Sequence, residues 1–287
     1  MPIQLHQNLN LLFLLIVGSS VSNIHLSWVN IMLILVFTLF IEHLFLFFNR
    51  EREFHLSYSA ISTAIGVIVL MYSAELWIYF VVIALGLFQK HFLTIHKKHL
   101  FNPSNFSLIM ALLLFYNDAH MVLGQLGDEL WLSVVVFVVA GVMLIRVDRW
   151  IISLAFILFY VALQYLLVLS YDPVMTFQDI YLRFYSVTFM LFIYFMLTDP
   201  PVTPSKWQLQ ILFAFLVALL PVLLDRLYGF RVQHLFMSVF FFSMFVPLLG
   251  EKISSKEWIK AGLILFLVIA VIVTIEIQEP YYFEMQG

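Results

Sequence analysis

Two polar interruptions of an otherwise apolar sequence carry the residues most able to do chemistry. The first reads His-Leu-Phe-Asn-Pro-Ser-Asn-Phe and covers residues 99–106. Asn102 is suited to cap a helix that begins at Pro103, and the exposed N–H groups of such a helix start attract anionic groups. Ser104 and Asn105 then lie in the first helical turn and are candidate hydrogen-bonding partners for a ligand. The alternative interpretation is a well-capped helix that binds nothing.

The second interruption reads Phe-Met-Leu-Thr-Asp-Pro-Pro-Val-Thr-Pro-Ser and covers residues 195–205. Two adjacent prolines, beginning with Pro200, end a helix because proline lacks a backbone N–H and restricts the residue before it. Two hydroxyls and a carboxylate lie where that ending frees backbone carbonyl groups: Thr198, Asp199 and Thr203. Such a set can hold a cation or form hydrogen bonds with a polar ring. The alternative is a proline-rich turn at the membrane boundary.

Glu42 and His43 are ionisable residues within an otherwise apolar segment. An ionisable group at membrane depth is costly, and its presence there favours a functional role. The pair therefore suggests a proton or cation relay. The alternative is a buried hydrogen bond, or a position close enough to the membrane surface for the charge to reach water, given Asn49 and Arg50 a few residues later.

No metal site is predicted. The sequence contains no Cys, which excludes thiolate ligands, disulfides and iron–sulfur ligation by this chain. The spacing of His91, His96 and His99 matches no metal-ligand motif, and positive charge at the membrane surface explains the basic residues around them. His120 and His234 stand alone in the sequence and are assigned no role.

Membrane-spanning helices must position these residues. Of the 287 residues, 63% are hydrophobic and only 11% are charged, whereas soluble domains carry about 25% charged residues. The lipid bilayer is therefore the main partner, and no nucleic-acid partner is indicated. A spanning helix needs about 20 mostly apolar residues. Segments of about that size are predicted at 9–22, 28–48, 56–73, 75–93, 102–116, 129–145, 150–171, 182–197, 207–228, 231–249 and 259–276. The sequence thus predicts an all-α polytopic membrane protein with ten or eleven transmembrane helices.

Short connections between these segments leave room for one integral membrane domain over residues 1–287. Many transporter folds contain two inverted halves, and an odd number of spans in each half inverts the second copy. Halves of five helices would cover about residues 28–145 and 150–276. The segment 9–22 would then be an extra helix. No basic residue precedes its apolar run, which favours an uncleaved helix over a signal sequence and leaves both open.

Basic residues predict the orientation of this multi-pass chain in a plasma (inner) membrane. Most of the 14 Lys and Arg residues lie in alternate connections: Arg50, Arg52, Lys90, Lys97, Lys98, Arg146, Arg149, Lys206, Lys252, Lys256 and Lys260. The opposite connections hold only Arg183, Arg226 and Arg231. By the positive-inside rule, the larger set marks the cytoplasmic face.

The two interruptions together resemble the NqrB/RnfD family. Its members are membrane subunits of the sodium-pumping NADH:quinone oxidoreductase and of the Rnf electron-transport complex. The family signature is Phe-Asn-Pro followed by Met-x-Thr-Asp-Pro-x-Thr, and the matching segments are Lys98–Phe106 and Phe195–Pro204. The length of the chain is similar to that of the short, enediyne-biosynthesis-associated branch of the family.

The resemblance implies a fold like that of urea transporters, redox partner subunits and flavin-linked electron transfer across the membrane. Family members carry covalent FMN on a Thr within a Ser-Gly-Ala-Thr-like segment, and that tetrapeptide does not occur here. Thr176 is the remaining candidate for a covalent site, although no Gly precedes it. Riboflavin or FMN bound without a covalent bond is therefore expected. The residues implied to line its site are Asn102, Pro103, Ser104, Asn105, Thr198, Asp199, Pro200 and Thr203.

Three functions follow as hypotheses. The first is an electron-transfer subunit of an oxidoreductase complex that binds a flavin or quinone-like ligand. The second is a transporter or channel for a small polar solute or ion on the same fold, which the missing tetrapeptide favours. The third is an assembly subunit that binds no ligand.

Overall fold

A computed structural model describes residues 3–21, 24–49, 57–96, 98–122, 130–169, 186–249 and 254–278. Within these ranges the chain forms eleven α-helices. Their bounds are α1 Ile3–Val21, α2 Trp28–Phe48, α3 Tyr58–Leu70, α4 Leu76–Phe92, α5 Pro103–Leu114, α6 Leu130–Val147, α7 Trp150–Gln164, α8 Val187–Leu191, α9 Trp207–Tyr228, α10 Gln233–Ser243 and α11 Ser255–Gln278. Each predicted segment corresponds to one of these helices, so the all-α polytopic fold is confirmed.

Short irregular turns extend several helices. The helix α7 continues as a π-helical turn over Tyr165–Leu169, and α8 continues as one over Phe192–Met196. Single 3₁₀ turns follow at Pro200–Val202 and Val246–Leu248. Turns of the π type are rare and are frequent at functional sites, and the one that extends α8 leads directly into the second polar interruption.

Two antiparallel strand pairs, each two residues long, join connections at the ends of the helices. The strand β1 (Met71–Tyr72) pairs with β4 (His120–Met121), and β2 (Thr94–Ile95) pairs with β3 (Lys98–His99). The second pair is a hairpin that ends just before α5 and contacts the Pro200–Val202 turn. It therefore brings the first polar interruption towards the second.

Four of the described helices are long and apolar enough to cross a bilayer: Trp28–Phe48, Trp150–Leu167, Trp207–Tyr228 and Ser255–Gln278. Shorter apolar helices cover Asn8–Val17, Tyr58–Leu70, Leu76–Phe92, Pro103–Leu114 and Gln233–Leu248. Large apolar side chains such as Phe40 on α2 and Phe266 on α11 are exposed. An apolar outer surface suits hydrocarbon and not water, since soluble monomers rarely expose large apolar patches.

The helices pack as two neighbouring groups that share one core. In the first group α4 packs on α5 and α2, and α3 packs on α1, α2 and α5. In the second, α9 packs on α7 and α10, and α6 packs on α8. The groups meet where α5 contacts α10 and α1 contacts α6. The inverted repeat stays a prediction, as does the urea-transporter-like fold.

Hydrogen bonds tie several of the predicted basic connections together at one end of the bundle. Lys260 Nζ donates to the backbone oxygen of Thr94 at 2.6 Å. At the same end Arg149 Nε donates to Thr203 Oγ1 at 3.3 Å. We call this the basic end. Its assignment to the cytoplasm stays a prediction, and several members of the basic set lie outside the described residues: Arg50, Arg52, Lys97 and Lys252.

Candidate functional site

The first polar interruption forms the start of α5 as its sequence indicates. Asn102 is the N-cap, and its Oδ1 accepts a hydrogen bond from the backbone N–H of Asn105 at 3.1 Å. Pro103 occupies the first helical turn. The backbone oxygen of Phe101 just before the cap accepts a hydrogen bond from Gln89 Nε2 at 3.0 Å. The cap is therefore held in place by α4 as well as by its own helix.

The second polar interruption follows the π-helical turn of α8. Thr198 is buried, and its Oγ1 donates to the backbone oxygen of Tyr194 at 2.6 Å. Thr203 Oγ1 donates to the backbone oxygen of Asp199 at 2.8 Å and accepts from Arg149. Both hydroxyls therefore satisfy backbone groups of their own segment, while the Asp199 carboxylate is directed elsewhere.

One hydrogen bond joins the two interruptions. Asn102 Nδ2 donates to Asp199 Oδ2 at 2.8 Å, across 97 residues of sequence. Asp199 lies beyond the last turn of α8, outside the membrane-spanning helices. Burial raises the pKa of its carboxyl group, while nearby His99 and the Asn102 hydrogen bond act in the opposite direction. The two segments that sequence alone places far apart thus form one polar contact at the basic end.

A small cavity lies beside this contact. It has a volume of about 50 Å³ and is lined by side chains of α1, α3, α5 and α8. Its polar lining comes from Ser62, Asn102 and Ser104, and its apolar lining includes Leu14 and Phe195. A water molecule needs roughly 10–15 Å³ of such space, so the cavity has room for a few water molecules. Its walls are apolar with a few polar groups, which is typical of small-molecule sites.

Only part of the predicted site set lines this cavity. Of the eight residues implied by the resemblance, Asn102 and Ser104 do so. Ser104 Oγ also donates to the backbone oxygen of Thr63 at 3.4 Å. Asn105 turns away and donates through Nδ2 to the backbone oxygen of Phe236 at 3.0 Å, which ties α5 to α10. The remaining members lie around the contact and not on the cavity wall: Pro103, Thr198, Asp199, Pro200 and Thr203.

The predicted relay pair divides in the structure. Glu42 is buried and accepts hydrogen bonds from Lys90 Nζ at 2.5 Å and from Ser57 Oγ at 2.9 Å, and His91 Nε2 lies 2.9 Å from its other oxygen. His43 instead directs Nδ1 to the backbone oxygen of Leu39 on its own helix, at 2.7 Å. Glu42 is therefore held in an ion pair with Lys90 of α4, to which His43 does not contribute through this ring nitrogen.

Thr176, the candidate for a covalent flavin, lies outside the described residues.

Comparison with known proteins decides the family. Residues 89–258, more than half of the chain, match the model of the NQR2, RnfD, RnfE family. The chain belongs to this family. No curated protein matches the chain. The resemblance found in the sequence is thus confirmed at the level of the family, while its enediyne-associated branch stays a prediction.

The matched range includes both polar interruptions of this NQR2, RnfD, RnfE family member. Membership points to a membrane subunit of a redox complex. The four described helices that are long and apolar enough to span a bilayer agree with a membrane subunit. The cavity beside Asn102 and Asp199 therefore lies between the two segments by which the family was recognised.

Sequence reasoning missed a second polar group, which lies on other helices at the opposite end of the bundle. His234, which was assigned no role, lies between Asp225 and Glu276, and all three side chains are buried. A signal was present in the sequence, because all three are ionisable residues within predicted spans, where such residues are rare. What could not be read from the sequence is that they meet.

Proposed function

We propose that this chain is an electron-transfer subunit of a membrane redox complex. The chain itself binds a flavin or quinone-like ligand without a covalent bond. The ligand site is the cavity between the two polar interruptions. The observation that carries the proposal is the hydrogen bond between Asn102 and Asp199 at the edge of that cavity. Family membership supplies the redox class.

The side chains around the cavity suit the edge of a planar, polar-rimmed ring. Apolar groups such as Leu14 and Met196 can pack on its faces, and Asn102 and Ser104 can form hydrogen bonds with its heteroatoms. A bound flavin or quinone would supply the electron-accepting chemistry that this chain's own side chains lack. The residues of the chain would orient the ring and keep water away from it.

The small size of the cavity limits how a ligand can enter it. A space of about 50 Å³ admits the edge of such a ring and not the whole ring system. Leu11 and Leu14 of α1 close one side of it, and α1 packs chiefly on α3 and α6. Ligand entry therefore requires α1 to separate from α3 and α8, and substitutions on α1 that face the cavity should control binding.

The test is the visible absorption spectrum of the purified protein, followed by fluorescence titration with riboflavin, FMN and a short-chain quinone. Near-stoichiometric flavin, or saturable binding of one of these ligands, supports the proposal. A colourless protein that binds none of them refutes it. In that case, flux of a small polar solute through proteoliposomes would support the transporter hypothesis, which the small volume of the cavity also favours.

Matched variants test the place of binding. Leu14→Phe fills the cavity, because Leu14 is buried on its wall, whereas Leu12→Phe changes an exposed residue of the same helix. We expect at least about tenfold weaker ligand binding in the first variant, which corresponds to about 1.4 kcal/mol, and no change in the second. Equal affinities would place the ligand elsewhere.

A smaller change separates the polar contacts. Ser104→Ala removes a hydroxyl from the cavity wall, while Ser107→Ala removes a buried hydroxyl of the same helix that donates to the backbone oxygen of Pro103. Weaker binding is expected only for Ser104→Ala. A larger loss in Ser107→Ala would contradict the proposed site.

A further inference from the structure

A buried group of ionisable side chains lies at the end of the bundle opposite to the basic end. His234 Nδ1 lies 2.6 Å from Asp225 Oδ1, and His234 Nε2 lies 3.2 Å from Glu276 Oε1. The imidazole is fully buried, and both carboxylates are buried too. Asp225 is near the end of α9, His234 at the start of α10 and Glu276 at the end of α11. Three helices therefore converge on one imidazole ring.

Two further residues form hydrogen bonds with the carboxylates. Arg231 Nη1 donates to Glu276 Oε2 at 3.1 Å, and the Arg231 backbone N–H donates to Asp225 Oδ1 at 3.2 Å. Gln164 Nε2 of α7 donates to Asp225 Oδ2 at 2.8 Å. The Gln164 Oε1 atom on the same amide is buried and accepts no hydrogen bond from the described residues. His234 Nε2 and Glu276 Oε1, which face each other, likewise meet no hydrogen-bond geometry with the described residues.

The partners of the imidazole show what the group can bind. In this group two carboxylates face the two ring nitrogens of His234, and the Arg231 guanidinium binds one of the carboxylates. A neutral imidazole has one N–H and one lone pair. It can donate to only one of the two carboxylates and would direct a lone pair at the other. The geometry therefore has a place for one proton, on Nε2 and facing Glu276.

We propose that Asp225, His234 and Glu276 form a proton-binding site, in which His234 takes up and releases one proton between the two carboxylates. The proton on Nδ1 remains, because that nitrogen makes the short hydrogen bond to Asp225. The exchangeable proton is the one on Nε2, whose contact with Glu276 is longer and does not meet hydrogen-bond geometry. On release it passes to water, and the imidazole becomes neutral.

The connection between α9 and α10 is the route to water. Arg231 lies in this connection, and its side chain is 10% exposed, whereas His234 is completely buried. Arg231 binds Glu276 and reaches the surface, so the polar groups beside Nε2 extend to the surface at this connection. Among the described residues, no group of His, Cys, Asp and Glu is arranged to hold a metal ion.

The other ionisable residues on elements packed around the site are Arg226 and Tyr228, which follow Asp225 on α9, and Tyr160 on α7. The helix α5, which packs on α10, has none in its sequence, and α10 itself has only His234. On α7 the nearest ionisable group is Tyr160, whose hydroxyl accepts a hydrogen bond from Gln164 Nε2 at 3.2 Å. Asp225 and Glu276 contact the imidazole of His234 directly, and Arg231 binds Glu276.

The test is nitrogen NMR of the folded protein in detergent micelles, labelled with ¹⁵N-histidine and titrated with alkali. We expect one histidine with both ring nitrogens protonated at neutral pH, which loses one proton reversibly while the protein stays folded. Two results would overturn the proposal. One is a singly protonated His234 throughout the titration. The other is a doubly protonated ring that releases its proton only on unfolding, which is the behaviour of a fixed ion cluster.

Variants assign the signal. It should disappear in His234→Gln and remain in His120→Gln, because His120 is an exposed histidine in β4. Glu276→Gln keeps the shape of the site but removes one carboxylate charge. The histidine that gives this signal should therefore bind its proton about tenfold more weakly, or weaker still. If His234→Gln does not fold, the shift in Glu276→Gln identifies the signal, and a spectrum unchanged by Glu276→Gln contradicts the site. None of its residues lines the proposed ligand cavity, so failure of the flavin test leaves this prediction intact.

Discussion

Removing the Asn102 side chain tests whether its hydrogen bond to Asp199 holds the two polar segments together. Asn102 has two roles: Oδ1 caps α5, and Nδ2 donates to Asp199 Oδ2 at 2.8 Å. Asn102→Ser keeps an oxygen that can cap the helix but removes the amide donor. Asn102→Ala removes both the cap and the donor. The difference between the two variants therefore measures the cap, and Asn102→Ser measures the contact between segments.

The expected magnitudes follow from these contacts. Loss of an N-cap costs about 1 kcal/mol. A hydrogen bond to a charged acceptor contributes about 1.5–3 kcal/mol in soluble proteins, whereas bonds between membrane helices average about 0.6 kcal/mol and reach about 1.7. Because the acceptor here is a carboxylate, we expect a value near the upper membrane limit. Asn102→Ser should lower the free energy of unfolding by about 1.5 kcal/mol and Asn102→Ala by about 2.5 kcal/mol.

The assay is reversible unfolding in mixed micelles titrated with SDS, followed by far-ultraviolet circular dichroism. A double-mutant cycle of Asn102→Ser with Asp199→Ala gives the coupling energy, which should be about 1–1.5 kcal/mol. Ser27→Ala is the matched control, because Ser27 caps α2 by accepting from the Asn30 N–H at 3.2 Å at an exposed position. A coupling energy near zero, or equal losses in Asn102→Ala and Ser27→Ala, would refute the role of the Asn102–Asp199 bond.

Two further variants test packing and charge in the first group of helices. Glu42→Gln leaves the partly buried Lys90 ammonium without its carboxylate. The free energy of unfolding in the same assay should therefore fall by about 2–4 kcal/mol. Glu75→Gln, at an exposed position, should change it by less than about 0.5 kcal/mol, and similar losses would contradict the ion pair. In Gly86→Ala the added Cβ would lie 2.5 Å from a backbone oxygen at the start of α5, so α4 and α5 must separate, at about 1–3 kcal/mol. Gly141→Ala meets nothing within 4 Å and should stabilise the helix by up to about 1 kcal/mol, and no difference between the two would show that α4 and α5 do not pack so closely.

The helices were predictable because hydrocarbon imposes a simple requirement on a sequence. A backbone in a bilayer must satisfy its own hydrogen bonds, so a long apolar segment forms a helix whatever its neighbours are. The predicted segment 28–48 coincides with α2, and the segment 207–228 coincides with α9. The two-residue strands escaped prediction because they are too short to show an alternating pattern. The π-helical turn in α8 depends on how its side chains pack and leaves no periodic signal.

The candidate site was predictable only in its local part. The cap at Asn102 depends on residues within one helical turn, so the sequence indicated it correctly. The bond from Asn102 to Asp199 joins residues from different helices, and no local rule predicts it. Asn105 was grouped with the ligand-binding residues, yet its amide donates to the backbone of α10. A polar side chain in a helix start has several possible partners, and only the packing of neighbouring helices selects one.

The sequence by itself therefore determined that the chain lies in a lipid bilayer, that it is helical and to which family it belongs. It also determined where the apolar pattern breaks. These properties depend on composition and on neighbouring residues, which a linear chain displays directly. The tertiary structure decided which polar groups meet. It joined the two interruptions beside one cavity, paired Glu42 with Lys90, and placed His234 between two carboxylates from other helices. Buried polar and charged groups must find partners, and in a helical bundle those partners come from helices that are distant in sequence.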